Sequence, residues 1–258
     1  VLDPSSAADQ PISDAQNRCS LVFNGEIYNY QALRRELEGT GVQFRTGGDS
    51  EVILQGYRKW GENVLRYLEG MYAFVLVDRD REIALVARDP LGIKPIYSLR
   101  LGSLFAVASE MHALRRLHVA RPDNRALAEL LTFGWAAGRL SNLEGIERVP
   151  GGTLLKVSLR TATVRERRVV DPLDTFTAAQ EINADEIEEN VEKAVEDSVI
   201  AHLASDVGYT AQLSGGVDSS LVTAIASNNT NSPIETFSVK LEDPRFDESK
   251  YRVPLIRR

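Results

Sequence analysis

Seven residues late in the chain, Ser214-Gly-Gly-Val-Asp-Ser-Ser220, have the types and spacing to hold a polyanion. Adjacent Gly215 and Gly216 let backbone N–H groups approach a ligand without a Cβ in the way. Ser214, Ser219 and Ser220 add hydroxyl donors, and Asp218 adds a carboxylate able to hold a Mg²⁺ that screens phosphate charge. The flanking residues say how the loop is carried. Val207, Tyr209, Ala211 and Leu213 alternate as strand residues do, and Leu221, Val222, Ala224 and Ile225 recur at helical spacing. Strand, tight turn, helix is the reading. It aims the first N–H groups and the positive dipole end of the helix at the same anion. The plainer alternative is an ordinary strand-to-helix turn with Asp218 as its cap.

The remaining elements follow from periodicity. Residues 18–23 read as a short strand running into Asn24-Gly25-Glu26, and Tyr30, Leu33 and Leu37 mark a helix stopped by Gly39 and Gly41. Asp49 or Ser50 is placed to cap a second helix carrying Val52, Ile53 and Tyr57. Tyr72–Val77 is apolar on both faces, so it should be a central strand, returned through the turn at 78–81 by Ile83–Ala87. Pro95–Leu99 with Leu104–Ala108, and Thr153–Ser158 with Thr163–Val169, read as hairpins, with helices at Glu110–Leu117 and Asp123–Phe133 between them. Residues 170–182 lose all periodicity and read as a linker, with a domain boundary near residue 175. Asn183 with Glu186 then forms a capping pair for a helix marked by Ile187, Val191, Val195 and Val199.

Bulk properties exclude several classes. The 258 residues carry a formal net charge of −7, which argues against nucleic acid as the main partner. No apolar run is long enough for a bilayer, and no signal peptide precedes Asp3. The single cysteine, Cys19, cannot support a disulfide framework, which fits a cytoplasmic setting. His112, His118 and His202 lack metal-ligand spacing. Both ends read as cut, because the chain opens on Val1 within an apolar stretch and closes soon after the second strand of a parallel sheet.

The loop is not a Walker P-loop, since the lysine of that pattern is missing. It resembles the Ser-Gly-Gly-x-Asp-Ser loop of the ATP pyrophosphatase families. The first half narrows this further. Phe23-Asn-Gly-Glu-Ile-Tyr-Asn-Tyr30, Gly48-Asp-Ser-Glu-Val52, Glu69-Gly-Met-Tyr-Ala-Phe74, Arg88-Asp-Pro-Leu-Gly-Ile-Lys-Pro-Ile-Tyr97 and Ala108-Ser-Glu-Met111 occur in that order. Together they resemble the glutamine amidotransferase domain of glutamine-dependent asparagine synthetases. Ser205-Asp-Val, Leu213–Ser220, Phe237-Ser-Val239, Glu242-Asp-Pro and Asp247-Glu-Ser249 are similar to that family's synthetase domain.

The resemblance implies two folds. Residues 1–175 should form an α+β N-terminal-nucleophile αββα sandwich, and residues 176–258 the start of an α/β parallel-sheet ATP-pyrophosphatase domain. It also implies roles. Asn24 and the Gly25 N–H correspond to the oxyanion hole, with Val1, Leu2, Glu26 and Asp49 completing the glutamine site. Leu213, Ser214, Gly215, Gly216, Asp218, Ser219, Ser220 and Val239 correspond to the ATP site, with Asp218 as the magnesium ligand. Asn24-Gly25 as a mere turn and Asp49 as a mere cap are the local alternatives. Gly208, Val217 and His112 stand where the family usually has proline, leucine and lysine. The family's nucleophilic cysteine and its arginine for the substrate carboxylate would lie upstream of Val1. Cys19, inside a strand, is no substitute, so this chain alone should be inactive.

The implied reaction is asparagine synthesis from aspartate, glutamine and ATP through a β-aspartyl-adenylate, with ATP and Mg²⁺ bound and AMP and pyrophosphate released. Expected partners are those small molecules, with a homodimer as a candidate assembly, and neither nucleic acid nor membrane. Two alternatives stand beside it. One is the same layout on another carboxylate, as in β-lactam synthetases, peptide cyclases and amidotransferases of polysaccharide assembly. The other is a non-catalytic nucleotide-binding scaffold.

Overall fold

The computed structural model describes residues 2–171, 184–240 and 243. They form two compact units, one within Ser5–Ala179 and one within Gln180–Arg258 that also takes in residues 2–4. Residues 172–182 of the expected linker, the boundary near residue 175, the Asn183 cap and the segment 247–249 lie outside the described residues.

The first unit is built on a six-stranded antiparallel sheet. Its strands, in chain order, are β1 (Ile12–Ser13), β2 (Cys19–Ile27), β3 (Gly70–Asp78), β4 (Ile83–Arg88), β8 (Thr153–Ser158) and β9 (Val164–Arg168), and neighbours in that order are hydrogen-bonded. A three-stranded sheet places β5 (Tyr97–Leu101) between β6 (Leu104–Ala108) and β7 (Ile146–Arg148). β3 is an interior strand, as its two apolar faces demand.

The two faces of β3 bury different things. Ala73 joins Ala84 and Val86 of β4 and Leu155 and Val157 of β8, and Phe105 and Val107 of β6 pack on them. That cluster is the seam between the two sheets. The opposite face, with Tyr72, Phe74 and Leu76 also buried, continues the sheet on which α2 (Asp49–Trp60) packs through β1 and β2, with α1 (Tyr30–Glu38) against α2. Tyr57 of α2 donates to the Asp78 carboxylate at 2.8 Å, fixing helix to sheet. On the far side of the small sheet, Leu99 and Ile146 pack with Leu114 of α3 (Met111–Arg115). Helix, sheet, sheet, helix is the expected αββα layering. The helix α4 (Asn124–Phe133) starts where Asp123 accepts the N–H groups of Arg125 and Ala126 and ends at left-handed Gly134.

The largest departure from the sequence reading is at β2. The strand does not stop at Phe23 but runs through Asn24, Gly25 and Glu26, opposite Ala73, Tyr72 and Met71. Asn-Gly reads locally as a turn, but here glycine serves close approach. A Cβ on Gly25 would sit 2.1 Å from the Met71 carbonyl oxygen, and one on Gly70 would sit 2.1 Å from that of Glu26. Two backbones are pressed together by two missing side chains. β1 and β7, at two and three residues, were too short for a periodic signal.

In the second unit, α5 (Ala184–Ala201) precedes a β-α-β unit of β10 (Thr210–Gln212), α6 (Val217–Asn228) and β11 (Glu235–Phe237). β10 and β11 are parallel, with Ala211 opposite Thr236. β10 is shorter than the alternation from Val207 suggests, because Val207 and Tyr209 are 42% and 39% exposed. No helix among the described residues is long and apolar enough to cross a membrane.

The backbone contact at Gly70 has a measurable consequence. Gly70→Ala should destabilise the chain by about 3 kcal/mol, the upper end of overpacking costs. Gly39→Ala, at a right-handed position with no neighbour nearer than 3.4 Å, should change stability by less than about 1 kcal/mol. Urea denaturation of both variants measures the difference.

Candidate functional site

The first site grows from the hydrogen-bond pattern of β2. Beyond its C-terminal end, the Tyr28 N–H donates to the Glu69 carbonyl at 2.8 Å, toward β3. In an antiparallel ladder alternate residues face the partner, so Phe23, Gly25 and Ile27 turn their N–H groups to the other edge. The β1 ladder reaches only Ser20 and Leu21 of that edge. Side chains then take over. The Phe23 N–H donates to the Gln10 carboxamide oxygen at 2.6 Å, and the Ile27 N–H to the Asp49 carboxylate at 2.9 Å. The Gly25 N–H lies between these two, on an edge where no strand continues among the described residues. Asn24 and Glu26 share one face of β2, and Asn24 is exposed.

Asp49 does not act as the N-cap. Gly48 holds that position and Asp49 is the first helical residue, so the carboxylate is available to β2. It is buried, and burial pushes its carboxyl above the ordinary aspartate range. N–H groups of Ile27, Asp49 itself and Ser50 pull the other way, and the charge of Glu26 adds to the upward push. Glu26 and Asp49 therefore sense one another, an arrangement that would gain from an ammonium group between them. The structure brings Asn24, Gly25, Glu26 and Asp49 to one end of β2. Val1 lies outside the described residues. Leu2 belongs to the second unit, where the adjacent Asp3 N–H donates to the Asp206 carboxylate at 2.8 Å.

Three residues that sequence reasoning left out position this end. Gln10 is one. Glu51, fully buried in α2, accepts the N–H groups of Arg45 (2.9 Å) and Thr46 (2.8 Å), the Thr46 hydroxyl (2.9 Å) and the Gln55 amide (3.2 Å). It holds the chain that enters α2 and so sets where Asp49 stands. Asp89, also fully buried, accepts the N–H groups of Tyr72, Ile93 and Lys94 at 3.3, 2.8 and 2.9 Å. Acidic residues within runs already quoted as motifs were the available signal, but charge alone does not say which one is buried. Cys19 is buried in β2, and burial together with Asp78 and Asp14 pushes its thiol up to about 11. A thiol held protonated is a poor nucleophile.

The second site is the loop between β10 and α6. Gly215 has φ 96°, a left-handed conformation that favours glycine, and Gly216 is the N-cap of α6. Asp218 sits in the first helical turn, exposed, rather than at the cap, which removes the plainest structural role for it. Ser214 Oγ lies 2.9 Å from Ser219 Oγ and accepts the Gly216 N–H at 3.3 Å. Ser219 and Ser220 hydroxyls donate back to the Gly216 carbonyl, at 3.3 and 2.6 Å. The hydroxyls thus brace the turn, leaving the helix start with N–H groups that its own geometry cannot pair. Leu213 is buried and its N–H donates to Phe237 at 3.0 Å, while the Ser238 hydroxyl donates to the Leu213 carbonyl. That brings Leu213 beside the segment carrying Val239, which is 63% exposed. Among the described residues, no three His, Cys, Asp or Glu side chains converge on a metal position. One exposed carboxylate cannot cage a magnesium ion, but it suits one that arrives with phosphates and keeps its waters.

The stretches that carry the two sites match family models in the same order along the chain. Residues 1–168 match the model described as a glutamine amidotransferase domain, and residues 190–257 the model described as asparagine synthase. The chain belongs to the asparagine synthetase family. Asparagine synthetase B of Escherichia coli K12 is 38% identical over 227 residues, covering 87% of this chain and 35% of that protein. Asparagine synthetase 1 of Bacillus subtilis is 33% identical over 243 residues, covering 93% of this chain and 37% of that protein. This family member therefore spans little more than a third of the length of these curated relatives. A solved glutamine phosphoribosylpyrophosphate amidotransferase of B. subtilis matches with TM-score 0.47 and 19% identity, over 94% of this chain and 51% of that one. That likeness is too loose to carry the fold, which rests on the layers described above.

The raised carboxyl of Asp49 predicts a pH-dependent gain. A folded pKa above the unfolded one favours the native state below the unfolded pKa, and that advantage is lost as pH rises through the folded value. Asp49→Asn should therefore stabilise the chain at pH 7, and the gain should shrink as pH falls into the carboxylate range. Urea midpoints at pH 7 and pH 4 check both the sign and the trend.

Proposed function

We propose that these residues serve a glutamine-hydrolysing, ATP-dependent carbon–nitrogen ligase that makes asparagine from aspartate in the cytoplasm. The observation that carries the reading is the Gly25 N–H, set on an open strand edge between N–H groups already bonded to Gln10 and Asp49. Glutamine hydrolysis passes through a tetrahedral oxyanion, and a donor fixed before the charge develops stabilises it most. Asn24 supplies the second donor. Glu26 and Asp49 take the α-ammonium of glutamine, which would also relieve their mutual repulsion. Cys19 is excluded as nucleophile by its burial and its bound proton.

At the second site the loop 214–220 takes the pyrophosphate of ATP on the helix N–H groups, with Leu213 and Val239 toward the nucleoside. The aspartate β-carboxylate attacks the α-phosphorus, pyrophosphate leaves, and ammonia displaces AMP from the β-aspartyl-adenylate. Asp218 would hold magnesium, which when bound neutralises charge on the departing pyrophosphate. Aspartate as the acceptor is supported by the names of the relatives.

Two experiments test the reading in the full-length enzyme that carries this chain. Asn24→Ala should lower kcat for glutamine hydrolysis by about 10²–10³, the usual loss for one oxyanion donor, and spare ammonia-dependent synthesis. Asp218→Asn should abolish aspartate-dependent ATP–pyrophosphate exchange and spare glutamine hydrolysis, because asparagine keeps the shape and loses the charge. Near-normal exchange in Asp218→Asn would remove the metal role. The polypeptide of residues 1–258 by itself should release no glutamate from glutamine, and Cys19→Ala should not change that.

A further inference from the structure

We propose that Gln10 is a positioning residue for glutamine hydrolysis, one of two side-chain clamps that hold the Gly25 N–H in place. The proposal rests on the oxyanion reading above. β1 ends its pairing at Leu21, so nothing in the sheet fixes the edge of β2 from Phe23 onward. Two side-chain oxygens stand in for the missing carbonyls of a neighbouring strand, and they do so selectively. Gln10 takes Phe23 and Asp49 takes Ile27, one position to each side of Gly25 in the alternating row. From the other side Gly25 is pressed on the Met71 carbonyl, where a Cβ would come within 2.1 Å. Held at 23, 25 and 27, the strand end cannot rotate its middle N–H away from a ligand.

The two clamps differ in kind. Asp49 is buried and anchored at the start of α2, and its carboxylate also belongs to the proposed substrate site. Gln10 is exposed, belongs to the segment before β1, and touches β2 at the Phe23 N–H. A neutral amide supplies the acceptor without placing negative charge beside a developing oxyanion. The row spacing puts it roughly 7 Å along the strand from the Gly25 N–H. A carboxylate at that range, screened by water, would cost about threefold in rate.

The test uses Gln10→Met, which keeps the length and loses the acceptor, and Gln10→Glu, which keeps the acceptor. In the full-length enzyme, Gln10→Met should lower kcat for glutamine hydrolysis about tenfold, less than removal of a donor outright. KM for glutamine and ammonia-dependent synthesis should stay within twofold of the parent. Gln10→Glu should recover kcat to within about threefold. In the ¹⁵N-labelled 258-residue chain, amide exchange at Phe23 should speed up in Gln10→Met and return toward the parent rate in Gln10→Glu. Unchanged glutamine kcat in Gln10→Met overturns the clamp while leaving the oxyanion reading intact. Equal losses with glutamine and ammonia overturn it in favour of a merely structural tie. Full glutaminase activity in Asn24→Ala would instead remove the oxyanion reading, and the clamp with it.

Discussion

The close backbone contact between β2 and β3 is the constraint on which the first unit depends. Gly25 over Met71 and Gly70 under Glu26 bring two strands nearer than any residue with a Cβ would allow. The contact extends β2 past the point where its side chains stop favouring a strand. That extension carries Asn24, Gly25 and Glu26 out of the sheet's protected middle to its open end. Without it the same residues would form a hairpin-like turn, and their N–H groups would point wherever the turn left them.

Around that contact the structure spends buried charge on geometry. Asp49, Glu51 and Asp89 are each buried, and each accepts backbone N–H groups from a segment that bears on β2 or β3. A buried carboxylate is costly to desolvate, and satisfied N–H donors offset that cost only if their positions are held. The result is a rigid frame in which each acid fixes a loop and each loop fixes the acid. Asp49 is the exception, because burial and Glu26 keep its carboxyl raised. Such residual strain in a site is expected where a ligand completes the interaction.

The second unit solves its own problem differently. Its loop has no buried acid, only two glycines and hydroxyls that brace one another around the Gly216 carbonyl. Rigidity comes from short-range bonds inside one turn, so the geometry travels with the local sequence. An anion site made this way needs little from the rest of the fold beyond the parallel pair β10 and β11 that delivers the chain to the helix.

That contrast explains what could be read from the sequence. The elements were legible, because apolar periodicity states which face of each is buried, while their αββα layering was implied by the family resemblance. Tyr72–Val77 announced an interior strand, and Tyr30, Leu33 and Leu37 a covered helix, all from contacts within a few residues. The turn at 214–220 was legible for the same reason. The end of β2 was not. Asn24-Gly25 carries the local signature of a turn, and only the Met71 carbonyl across the sheet makes it a strand. Asp49 looked like a cap because its partner, the Ile27 N–H, is 22 residues away, and Gln10 carried no signal at all. Side-chain pattern records how much each residue buries, and that is decided locally. Which N–H group remains for a ligand depends on every acceptor the fold brings near, and only the tertiary structure assigns those.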